Sequence, residues 1–112
     1  MNHFKVEAAV RALLLNVVLD TLKAAKSTLT YSEAANIVGV QARSGTFFEL
    51  LMQTLESDFA SGSLPRCALI VSKKEGRPAP AFFEKARAVG YDVEDNDRFL
   101  ANVMSLFGVA QK

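Results

Sequence analysis

From residue 5 to residue 26 the chain contains neither Gly nor Pro, and its apolar positions recur at helical spacing. Val6, Val10, Leu13, Leu14, Val17 and Thr21 fall together on the helical wheel, and the pattern makes that side the core side. Leu15, Leu19 and Leu22 form a second stripe at i, i+4, i+7, beside a polar arc of Lys5, Asn16, Asp20 and Lys23. A helix with two apolar stripes needs two covers. For the second stripe the candidates are the last helix of the same chain, by the usual packing within a small domain, or a second copy, which would make a homodimer through Leu15, Leu19 and Leu22.

Residues Ser27 to Leu29 read as a short connector with room for a brief extended segment. Thr30-Tyr31-Ser32-Glu33 then fits the S/T-x-x-E capping box, so a helix begins at Tyr31, and Gly39 ends it. After a turn through Val40 to Arg43, Ser44 caps a longer helix up to Ala60, with Phe47, Phe48, Leu51, Leu55 and Phe59 at helical spacing and Gly62 closing it. The period changes at Arg66 to Ser72. Five apolar residues, Cys67 to Val71, are bounded by Pro65 and the polar run Ser72 to Gly76, which predicts a buried strand and then a turn. Pro80 to Val89 reads as a helix entered through proline, with Phe82, Phe83, Ala86 and Val89 inward and Gly90 as its end. A last helix, from about Asp95 to Phe107, puts Phe99, Leu100, Val103, Met104 and Phe107 on one face. Leu69, Ile70, Phe48 and Phe107 are expected to be largely buried.

A chain of 112 residues, half of them apolar, is expected to be one domain over 1–112 with an independent core. Its formal net charge is only +1, so no global field draws it to nucleic acid or to a membrane. The distribution says more than the sum: Ser44 to Leu64 carries three acids and no base, whereas Pro65 to Tyr91 carries six bases and two acids, which places the positive charge after Leu64. The lone Cys67 has no disulfide mate within the chain, and a reducing cytoplasm is expected. Ala12 to Leu19 imitates a signal-peptide core, but Glu7 precedes it, Asn16 interrupts it, and Asp20 and Lys23 follow at helical spacing, so it reads as a helix. No apolar run approaches the roughly 20 residues of a membrane span.

Catalysis is not expected. The single histidine, His3, stands near the start without a local Cys or carboxylate partner, and reads as a solvated residue. Cys67 lies in an apolar strand, which makes it an inert buried thiol. The six glycines are scattered singly, so no phosphate-cradling loop is present and no cofactor site is read. Asp92 to Asp97 has acids at alternate positions, yet a calcium loop starting at Asp92 would place Asp97 at the tight-turn glycine and Val103 at the bidentate glutamate. Favourable interaction with the amino terminus of the last helix accounts for those acids without a metal.

Ala35, Gly39 and Val40 resemble the helix-turn-helix pattern, where a small residue lets two helices approach and a glycine makes the turn. Residues 29 to 78 resemble the winged form of that family. The resemblance implies an α+β, winged-helix-like domain, mostly helical, with a small β-hairpin or sheet and two additional C-terminal helices. It also implies a non-enzymatic nucleic-acid-binding module whose third helix enters the major groove of duplex DNA while a wing touches the backbone. The residues that would do so are Arg43, Ser44, Thr46 and Gln53 on the third helix, and Arg66, Lys73, Lys74 and Arg77 at the basic tip. Glu49, Glu56 and Asp58 on that same helix would repel phosphates. They support the competing expectation, a protein-protein interaction module such as an inhibitor, immunity factor or adaptor that uses the acidic third helix.

Overall fold

A computed structural model describes the backbone of residues 3–110 and the side chains of residues 7–110. The expectations for the side chains of His3, Lys5 and Val6 lie outside the described residues. Helix α1 (His3–Ala25) ends where Lys26 takes a left-handed φ of 55° and the Ser27 amide returns to the Leu22 carbonyl at 3.1 Å. The chain straightens into β1 (Leu29–Thr30) and enters α2 (Tyr31–Val38) through the full capping box: the Thr30 hydroxyl accepts from the Glu33 amide, and the Glu33 carboxylate accepts from the Thr30 amide at 3.0 Å. Gly39 closes α2 at φ 87°, and Ser44 caps α3 (Gly45–Ala60) by accepting from the Phe47 amide.

A 3-10 turn at Arg66–Leu69 follows, then β2 (Ile70–Val71), α4 (Pro80–Val89) and α5 (Asn96–Phe107). The expected strand over Arg66 to Ser72 is therefore mostly a 3-10 turn. Pro65 starts it, with the Ala68 amide bonded to the Pro65 carbonyl at 3.1 Å, and α1, α3 and α5 all pack against the turn. With helices on its flanks, the segment finds a strand neighbour only in β1.

That pairing is parallel, Leu29 with Ile70 and Thr30 with Val71. A small sheet is thus present, but the strands joined by a wing would be antiparallel, and no antiparallel pair occurs among the described residues. The basic tip is a tight turn, held by the Ser72 amide on the Arg77 carbonyl at 2.8 Å, that leads on to α4. In class the domain is α+β and mostly helical, with five α-helices and one two-stranded sheet among the described residues.

The core is centred on the 3-10 turn. Ala68, Leu69 and Ile70 are fully buried, and Leu15, Leu19, Leu55, Phe47, Phe83 and Val103 close round them. For α1 the core side is the reverse of the expected one. Leu15, Val18, Leu19 and Leu22 face inward, while Val10, Leu13, Leu14 and Val17 are 51, 67, 39 and 56% exposed. Leu15, Leu19 and Leu22 are buried within the chain, on a helix that packs chiefly against the 3-10 turn, α2 and α3, so no second copy is needed to cover them. Phe48 and Phe59 on α3 are also exposed, against expectation, since Leu50, Leu51 and Met52 take the inward positions. Leu69, Ile70 and Phe107 are buried as expected.

Candidate interaction surface

The reversal on α1 has a local cause in Arg66. Its Nε donates to both carboxylate oxygens of the buried Asp58, at 3.0 and 3.1 Å; Nη1 donates to Asp20 at 2.9 Å and Nη2 to Asn16 at 2.8 Å. The Arg66 backbone amide also donates to Asp58, at 2.9 Å. Asn16 and Asp20, which look like a solvent arc on the wheel, are the docking points for this guanidinium and draw the 3-10 turn onto the leucine stripe beside them. Burial works against the charge on Arg66, but the hydrogen bonds and charges of Asp58 and Asp20 outweigh it and raise its pKa. Arg66 is therefore a tether between α1, α3 and the turn, and its side-chain donors are engaged within the chain.

The outer side of α1 is left bare. Residues 10, 13, 14 and 17 lie within about 100° of arc on a helix, opposite the inward leucines. Between Glu7 and Asp20 the only charged residue is Arg11, and its guanidinium turns to the Gly39 carbonyl and the Glu7 carboxylate. The result is an apolar face with no charge among its four members, bordered by Glu7 on one edge and Asp20 on the other. The wheel displays this stripe but assigns it to the core, because two apolar stripes on one helix carry no label saying which is covered.

The other residues expected to form a site are spread over separate parts of the surface. Ser44 and Thr46 line an open groove of about 700 Å³ with Glu7, Arg11, Asn36, Gly39, Val40 and Gln41, between the first half of α1, the end of α2 and the start of α3. Arg43 and Gln53 do not line it, and the Ser44 hydroxyl is engaged as the helix cap. Lys73 and Lys74 are exposed in the turn after β2, with Lys73 near enough to Glu33 to favour its ionised form. Arg77 pairs with Asp97 at 2.6 Å, lies over the Phe83 ring and lines a different cavity, against α5. The acidic third helix is also depleted: Asp58 is inside, and Glu56 is paired with Lys85 at 2.7 Å, which leaves the exposed Glu49.

Burial, with the Asp58 charge added, pushes the Cys67 thiol up to about 12, so the thiolate that would react is absent at neutral pH. No cluster of His, Cys, Asp or Glu able to hold a metal occurs among the described residues. In the acidic run before α5, Asp95 caps the helix by accepting from the Arg98 amide, and Asp97 is the mate of Arg77. No helix among the described residues is long and apolar enough to cross a membrane. Comparison with protein families, with curated proteins and with solved structures finds no match to this chain.

Proposed function

We propose that this protein is a non-enzymatic protein-interaction module that docks through the outer face of α1, formed by Val10, Leu13, Leu14 and Val17. One observation carries the reading: a helix apolar on two opposite sides has only its inner side covered by its own chain. Helices of that kind belong in contact with something on both sides. The interaction expected of the acidic third helix is moved to α1, because Asp58 and Glu56 are already engaged. A photo-crosslinking residue placed at position 13 or 17 in the expressed protein is expected to give discrete protein adducts. An adduct yield no higher than at exposed Lys23 or Gln53 would reject the reading.

Duplex DNA is the second reading, favoured by the exposed adjacent bases Lys73 and Lys74. Neutralising both is expected to weaken binding to all sequences alike and to flatten the salt dependence by about 0.9 log unit for every phosphate no longer neutralised. Retardation assays on random duplex DNA at low and moderate salt measure this, and absence of binding at low salt removes the reading.

A further inference from the structure

The outer face of α1 reads the same in both directions. Val10-x-x-Leu13-Leu14-x-x-Val17 is symmetric about the midpoint between Leu13 and Leu14, in residue type as well as in spacing. We infer that the occupant of this face is a second copy of the same chain, its α1 lying antiparallel across a two-fold axis that passes near Leu13 and Leu14. The inference rests on the docking role proposed for α1 and names its partner.

A two-fold axis at that midpoint brings Val10 opposite Val17 of the second copy and Leu13 beside Leu14 of the second copy, so each apolar group meets one of like kind. Side chains on one flank of an antiparallel pair face the same flank of the mate. The same register sets Glu7 level with Asp20 of the second copy at each end of the pair, on opposite flanks, so that the two acids do not face each other directly. Asp20 is in any case held by Arg66 at 2.9 Å. Opposed helix dipoles also favour antiparallel over parallel pairing.

The area sets the strength. The four side chains leave roughly 400 Å² per protomer, so ~800 Å² across the pair, below the about 1,200 Å² at which stable dimers begin. The pair is accordingly a weak and reversible one.

Sedimentation equilibrium between about 10 μM and 1 mM covers the range of weak association. Self-association should appear over the range and weaken at least about tenfold in Leu13→Lys, a change at an exposed position that leaves the circular dichroism unaltered; Leu14→Ser serves if Leu13→Lys misfolds. Cysteine pairing tests the direction of packing, with native Cys67 buried and silent. Val10→Cys protein mixed with Val17→Cys protein should form a disulfide-linked pair more readily than either alone. A monomer at every concentration, a dimer indifferent to Leu13→Lys and Leu14→Ser, or cysteines at position 10 that link to each other would each overturn the inference. If the protein is monomeric but position 13 still crosslinks to another protein, the second copy is wrong and the docking role of α1 stands. A monomer without adducts defeats both.

Discussion

Arg66 donates four hydrogen bonds through its side chain and one through its backbone, to groups as far as 50 residues away in sequence. No spacing rule could reveal them, and for that reason an arginine beside a basic turn looks like a phosphate ligand when read from sequence. Its partner Asp58 is only 7% exposed at the side chain. Removing Asp58 takes acceptors from the Arg66 side chain and backbone amide but leaves the guanidinium paired with Asp20 and Asn16, so Asp58→Ala is expected to cost about 1 to 3 kcal/mol in urea denaturation. Because both residues belong to one network, Arg66→Met added to Asp58→Ala should cost less than the sum of the two. Cys67 has the opposite legibility: its place in an apolar run is enough to predict an inert thiol. It should resist a thiol reagent at neutral pH in the native protein and react stoichiometrically in denaturant. Gly90 takes φ 125°, and a Cβ there would lie 2.5 Å from Phe59 Cζ. Gly90→Ala should therefore destabilise by about 1 to 3 kcal/mol, and Phe59→Ala in the same chain should relieve the steric share of the loss.

At the scale of elements, the helix boundaries are the most legible part of the chain, because each is written in local chemistry. Thr30 and Glu33, Ser44, Pro80, Gly90 and Asp95 all serve where their types and spacing place them. The capping box has a measurable pH signature. Hydrogen bonds from the Thr30 amide and hydroxyl hold the Glu33 carboxyl below its ordinary 4.5. A carboxyl whose folded pKa is depressed contributes stability above its unfolded value and loses it as pH falls through the folded one. Glu33→Gln keeps the geometry without the titration, so its urea midpoint should fall less than that of the wild type between about pH 5 and pH 3. Thr30→Ala removes the cap itself and should cost about 1 kcal/mol at neutral pH. Less legible is the facing of α1 and of Phe48 and Phe59 on α3. A wheel orders residues around an axis, but only the neighbours decide which arc is inside, and on α1 a half-buried guanidinium docks beside the arc that is covered.

For the whole molecule, the central position of residues 66 to 71 ties the fold to pairings distant in sequence, such as Leu29 with Ile70 and Asn16 with Arg66. Three helices precede that segment and cannot complete their packing without it. Pairings of such separation slow the folding of a small domain relative to a bundle of neighbouring helices. The same dependence orders events during synthesis. While the ribosome has released no more than residue 64, α1 has α2 and α3 to pack on but lacks the turn that completes the cover over its leucine stripe, and Val10, Leu13 and Val17 are bare as well. Such a chain calls for a chaperone, and a product truncated at residue 64 should aggregate on expression. Emergence of the six residues from Arg66 to Val71 is then the moment at which the gap left on the inner face closes, detectable as a drop in chaperone crosslinking to position 19 while crosslinking to position 13 persists.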